Sequence, residues 1–194
     1  MANHQFENHI LYLIGYPGSG KFTLAKEFHA QMPHFKLVDN HLINNVLFPL
    51  IHTDGVTPLP PRIWDNVGKI WDAVVDTMIY LSPADYSFIL TNALSTSEAD
   101  RAWFDEICRM ADARKAVLVP VALTISVEEH KKRIVMEERR ARFKETDPDG
   151  PEKYAKAQNM LVHEHPNTLV LDVSDLSPAE SVTAIRTHIL SLQP

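Results

Sequence analysis

Short runs of consecutive apolar residues alternate along this chain with longer stretches in which apolar residues recur every three or four positions. The first run is His9–Ile14, a strand pattern, and residues 22–31 follow it as a helix with Leu24, Ala25 and Phe28 on one face. Residues 34–39 read as a second strand, and Asn40 is placed to cap a helix from His41 to about Leu50. Residues 52–62 are a proline-rich loop with Asp54-Gly55 as a turn. Ile63, Val67, Ile70, Trp71, Val74, Met78 and Leu81 then recur at helical spacing. Residues 87–91 are a third strand, residues 117–125 a fourth and residues 168–173 a fifth. Ser97 with Asp100, Ser126 with Glu129 and Ser177 with Glu180 predict capping boxes at three further helix starts. The helix at Ser126 is highly charged; the last one carries Val182, Ile185, Ile189 and Leu192 as a stripe.

Strands that alternate with helices pair in parallel and are covered on both faces, so the pattern predicts an α/β fold with a five-stranded parallel sheet. The 194 residues suit a single domain, 1–194. Ligands of such sheets sit beyond the carboxyl ends of the strands. That singles out the loop at Gly15, then Asp39, Asn40 and His41, then Asn92, then Ser174 and Asp175.

The loop at Gly15 carries the chemistry. It reads Gly15-Tyr16-Pro17-Gly18-Ser19-Gly20-Lys21-Phe22-Thr23. Gly15, Gly20 and Lys21 fit the phosphate-binding pattern G-x-x-x-x-G-K, between a strand and a helix as that motif requires. Glycines let backbone N–H groups surround an anion, the helix start adds its positive dipole end, and Lys21 reaches the β- and γ-phosphates. The pattern then asks for Ser or Thr, and this chain has Phe22, with Thr23 one step later.

Composition narrows the partners. A 45% apolar and 23% charged chain is ordinary for a globular protein, and a net charge of −6 offers no broad basic surface for nucleic acid. A single cysteine, Cys108, forms no internal disulfide and fits the reducing cytoplasm. No apolar run has the length of a signal sequence or a membrane span. The histidines, His163 and His165 among them, show no metal-site spacing. Trp64 and Trp71 read first as core, in a region that also suits an acceptor pocket.

The loop and the order of elements resemble the small P-loop kinases: nucleoside monophosphate, shikimate and gluconate kinases. The resemblance covers nearly the whole chain in element order and is specific in the first loop, where Gly15-x-Pro17-Gly18-Ser19-Gly20-Lys21-x-Thr23 is most like the adenylate kinase form. That form also lacks a hydroxyl between Lys and Thr. The resemblance implies an ATP- and Mg²⁺-dependent phosphotransferase for a small-molecule or nucleotide acceptor, with Thr23 touching the α-phosphate or holding the metal through water.

It further implies that Asp39, eighteen residues after Lys21, orients or deprotonates the acceptor and partners the metal. Asn40, His41 and Arg62 fall on the acceptor side. The third strand ends in Asn92 where many P-loop enzymes carry a metal-binding acid; Asn92 either bonds a metal-bound water or substrate, or closes a loop. Residues from about 138 to 151 correspond to a charged lid; Arg133, before it in the same charged stretch, and Arg139 and Arg140, inside it, would offset charge during transfer. Ser174, after the last strand, lies where similar kinases pass the adenine ring. Two other readings stay open: a nucleotide-binding module with little turnover, which Phe22 and Asn92 would explain, and a polynucleotide end kinase, which the acidic balance disfavours.

Overall fold

The structure, a computed structural model, describes residues 6–162 and 165–192. Five parallel strands form one sheet in the order β2-β3-β1-β4-β5: β1 His9–Ile14, β2 Phe35–Asp39, β3 Ser87–Asn92, β4 Val117–Thr124 and β5 Leu169–Asp172. All six residues of β1 are buried, as a central strand with neighbours on both edges and both faces must be.

The period of two along β1 divides the core. Ile10, Tyr12 and Ile14 face one helical layer, while Leu11 and Leu13 face the other. The Leu11 side is closed by α1 (Lys21–Gln31) through Leu24, Ala25 and Phe28, and by the last helix, Pro178–Ser191, through Val182, Ile185 and Ile189. The Tyr12 side is closed by α3 (Arg62–Asp76) through Ile63, Val67 and Trp71, and by α4 (Glu98–Arg114) through Phe104 and Ile107. Tyr12 therefore points toward the layer that carries both Trp71 and Trp103.

Several predicted elements end elsewhere. The helix expected from His41 to Leu50 is only α2, Asn40–Asn44, with Asp39 and not Asn40 as its N-cap; a single 3-10 turn, Phe48–Leu50, follows. Pro49 lacks an N–H and restricts Phe48, so the helix cannot run through. The long stripe from Ile63 to Leu81 is α3 followed by a wider turn, Thr77–Leu81, closed by a bond from Ser82 N to Thr77 O of 3.0 Å just before Pro83.

The capping box at Ser177 is complete, with Glu180 returning to the Ser177 N–H at 2.8 Å. The other two are half boxes. Asp100 turns to Ser95 instead, and Glu129 turns to Lys132 and Arg133. The charged helix breaks into α5 (Val127–Ile134), α6 (Glu137–Arg140) and α7 (Gly150–Ala157).

Register brings the strand ends together. Ile14 stands opposite Asn92 and Ala122, and Asp39 stands opposite Thr91. The connection from β1 runs to β2 at one edge, and that from β4 runs to β5 at the other. The crevice where neighbouring connections part is where a ligand fits in this architecture.

Candidate functional site: a braced glycine loop facing a buried aspartate

The loop after β1 takes its shape from two glycines in the left-handed region, Gly18 and Gly20, both at φ 93. A Cβ on Gly18 would stand 2.9 Å from both His130 Nε2 and Ile134 Cδ1, so this position needs glycine twice over. The loop is tied to its surroundings at each end. Gly15 N donates to Asn92 O at 3.2 Å, and His130 Nε2 donates to Pro17 O at 2.6 Å. Burial, with Arg139, Lys21 and Arg133 close by, lowers the His130 pKa and keeps the ring neutral. Tyr16 stacks on Tyr154 with centroids 4.5 Å apart, and its hydroxyl accepts from Met160 N at 2.9 Å.

Lys21 opens α1 and folds back over the loop, donating to Gly15 O at 2.6 Å and Tyr16 O at 2.9 Å. Burial lowers its pKa to about 7; Arg139 and Lys144 push the same way, and Asp39 and Glu145 oppose them. Lys144 is itself held to about 8, chiefly by burial. His41, buried beside Lys144, Lys21 and Arg139, is pushed down to about 3 and stays neutral. Such a concentration of cations is costly without an anion and favourable around one. Ser19 Oγ, in a residue 1% exposed, has no partner inside the loop. The left-handed glycines, the free hydroxyl and the converging cations all fit a polyphosphate.

Asp39 ends β2 and is 2% exposed. Its Oδ1 accepts from Thr91 Oγ1 at 2.5 Å, while Oδ2 has no partner. A buried carboxylate oxygen without a donor is stabilised by the nearby cations and left open to a substrate proton or a metal-bound water. Among the described residues no group of three or more His, Cys, Asp or Glu could hold a metal by itself. Asp39 alone suits Mg²⁺, which keeps waters and takes most of its ligands from phosphates.

The other predicted residues fall in distinct places. Arg133 bonds Glu129 at 2.9 Å and Val173 O at 2.9 Å, and its Nη1 lies 3.4 Å from where a Cβ on Gly20 would be. Ser174 accepts from Ser126 N at 2.7 Å and donates to Asp172 Oδ1 at 2.5 Å, joining the exits of β4 and β5. Arg139 uses Nε and Nη2 to hold Glu145 O at 3.0 and 2.8 Å. Asn92 Oδ1 accepts from Ala93 N, a loop-closing bond, while the residue also lines a recess at the end of β3 with Asn40. Arg62 is exposed and outside that recess, Arg140 is exposed on α6, and Thr23 is exposed on the first turn of α1. His163 lies outside the described residues.

Three contributors had no signal in the sequence. His130 and Tyr16 brace the loop through partners far along the chain, and Trp103 stacks on Trp71 at 5.3 Å. Trp103 falls inside the helix predicted from Ser97, and helical spacing alone does not say which ring it meets. Trp64 is half exposed, edge-on to Phe48, while Trp71 is 5% exposed and lines the recess.

No protein-family model matches the sequence, and no curated protein does. Solved structures do match along nearly the full length. A gluconokinase from Sinorhizobium meliloti 1021 is 15% identical with a TM-score of 0.60, covering 96% of this chain and 94% of that one. The Mycobacterium tuberculosis APS kinase CysC, in complex with AMPPNP and APS, is 14% identical with a TM-score of 0.57, covering 94% and 98%. A shikimate kinase from Acinetobacter baumannii, in complex with shikimate, is 15% identical with a TM-score of 0.52, covering 97% of each. The chain has the fold of the small P-loop kinases. No described helix is long and apolar enough to cross a membrane.

Proposed function

We propose that this chain is an ATP-dependent phosphotransferase that carries the γ-phosphoryl group to a hydroxyl of a small molecule. One observation carries the reading. A buried carboxylate with one unpartnered oxygen, Asp39, shares an electrostatic cluster with the loop lysine, Lys21. A loop that only held a nucleotide would have no use for that oxygen.

In this reading the loop amides and Lys21 hold the phosphates, and Arg139 and Lys144 face the charge that spreads over the transferring group. Asp39 Oδ2 accepts the proton of the acceptor hydroxyl while Thr91 fixes Oδ1. Mg²⁺, held by the phosphates and by Asp39 through water, would neutralise phosphate charge. Thr23 would meet the α-phosphate. Arg133 and Ser174 shape the side where a base would lie. His41 and Asn40 flank the acceptor end, and the segment from about 138 to 151 serves as the lid.

The test is ADP release with Mg·ATP over a panel of nucleotides, sugars and hydroxy acids, against a no-acceptor control. Asp39→Asn keeps the shape and removes the proton acceptor. The proposal expects a defined acceptor to raise turnover. In the variant, kcat should fall on the order of 10²-fold or more, with near-normal nucleotide affinity. Background turnover across the whole panel, on protein that binds Mg·ATP, would replace it with the binding-module reading.

A further inference from the structure

His130 is buried and reaches the loop from α5, with Nε2 at 2.6 Å from Pro17 O. A carbonyl oxygen has no proton to give, so Nε2 carries the hydrogen and Nδ1 is the bare nitrogen of the neutral ring. The ring is held in that pose from several sides. It stacks on Tyr154 with centroids 5.9 Å apart and planes 18° apart. Its Nε2–Cδ2 edge fits Gly18 so closely that a Cβ there would stand 2.9 and 3.0 Å from the two atoms. The next residue, Lys131, bonds Glu152 Oε1 at 2.5 Å and ties α5 to α7, the helix that carries Tyr154.

The atom that His130 grips belongs to a tight turn. Ser19 N donates to Tyr16 O at 3.1 Å, with Pro17 and Gly18 between them and Gly18 at φ 93. That is a type II turn, and it differs from type I by a half rotation of its central peptide, Pro17–Gly18. Pro17 suits its position in both types, and Gly18, without a Cβ, can adopt either. The peptide is trans, so its C=O and N–H point in opposite directions. With the oxygen held by His130, the Gly18 N–H points away from that ring, across the loop. Among the described residues it makes no hydrogen bond. Ser19 Oγ, one residue on, is a second donor without a partner. A flipped peptide would turn the N–H outward and the oxygen inward, replacing a donor that attracts an anion with an acceptor that repels it.

We infer that His130 is a positioning residue for the nucleotide phosphates: its Nε2–H holds the central peptide of the Tyr16–Ser19 turn in the orientation that presents the Gly18 N–H to a polyphosphate. The ring touches no phosphate and acts through the loop. Only the identity of the anion rests on the phosphotransferase reading; the turn would be set in the same way for a nucleotide that is bound and not turned over.

The experiment titrates the full chain with Mg·ATP, adenosine and inorganic tripolyphosphate, unaltered and as His130→Leu and His130→Gln. Leucine removes the donor, and glutamine returns an amide N–H at similar reach. In His130→Leu, calorimetry should show ATP and tripolyphosphate weakened about tenfold or more, as for one lost hydrogen bond to a charged group, with adenosine unchanged. His130→Gln should recover most of that loss. By NMR of the unaltered protein, the Gly18 amide proton should move downfield when tripolyphosphate is added; in His130→Leu that movement should be lost. A merely structural His130 would lower the melting temperature of both variants without changing ATP relative to adenosine, and that result would overturn the inference. So would a Gly18 amide in the unaltered protein that does not respond to tripolyphosphate, a measurement that stands even where His130→Leu does not fold. The expected binding pattern without ADP release to any acceptor would remove the kinase reading and leave His130 its role. Transfer to a defined acceptor, with ATP held as tightly by His130→Leu as by the unaltered protein, would do the reverse.

Discussion

The guanidinium carbon of Arg142 stands 3.7 Å from the centroid of the Phe22 ring. Lys144 Nζ lies 4.7 Å from the same ring, and Lys26 Nζ 5.5 Å. The residue that interrupts the phosphate-loop pattern is thus a face on which two cations of the 138–151 segment rest. Phe22 supplies no oxygen for a metal. It supplies a quadrupole on which that segment rests.

Phe22→Leu keeps the helix apolar and removes that face. A cation–π contact contributes about 0.5–2 kcal/mol, so amide protection across residues 138–146 should fall about two- to thirtyfold. Hydrogen exchange by mass spectrometry would show it. Unaltered exchange there would leave the ring with no role in holding that segment.

Phe143 is in the left-handed region at φ 53, uncommon for a bulky side chain, and its ring packs against the Tyr12-side core. Backbone strain of this kind costs about 1–3 kcal/mol and persists where packing overrides it. Phe143→Ala should loosen the segment. Phe143→Gly, which loses the same ring and also the strain, should loosen it less. Native-state exchange of the two variants gives the order, and the reverse order would mean the backbone there is not strained.

Nucleotide binding should take up protons. Lys21 is held to about 7 in the folded chain, against an ordinary lysine value of 10.5. Between those values the unfolded chain binds more protons, so the Lys21 contribution to folding stability rises with pH across that window. A polyphosphate reverses the local field and draws the proton back. At pH 8, calorimetry of ATP binding in buffers of different ionisation enthalpy should show uptake of about one proton or more per site. Affinity should fall as pH rises above 7. In Lys21→Met the uptake should drop by at least half; no uptake in the unaltered protein would mean Lys21 is already charged.

Lys21→Ala should weaken ATP far more than adenosine, because only the phosphates lose a partner. Isothermal titration with both ligands separates this from a general loss of the site. Equal ATP affinity in a folded variant would move the phosphates away from Lys21.

Much of this was legible in the sequence because it is local. Strand, glycine loop and helix at residues 9–31 follow from periodicity, and five strands between helices fix parallel pairing. Lys21 and Asp39 could be placed because strand-end positions are determined by the fold. What was not legible depends on register and on distant partners. His130 meets Pro17 across 113 positions, and Tyr16 meets Met160 across 144. The helix expected to reach Leu50 stops at Asn44 because apolar periodicity runs on into Leu47 and Phe48, where Pro49 does not permit it. Arg62 and Arg140 have the right charge for the site, but each lies on an exposed face that spacing alone could not assign.

Thr146, 5% exposed, donates its backbone N–H to Gly55 O at 2.9 Å. Gly55 is itself at φ 80, with Lys144 O so close that a Cβ would stand 2.8 Å from it. The charged segment and the proline-rich loop after α2 are thereby stitched edge to edge. Raising one of them means either breaking that seam or carrying the other along. Residues 52–62 and 144–146 therefore share one hinge line, and a change made in either is felt in the other.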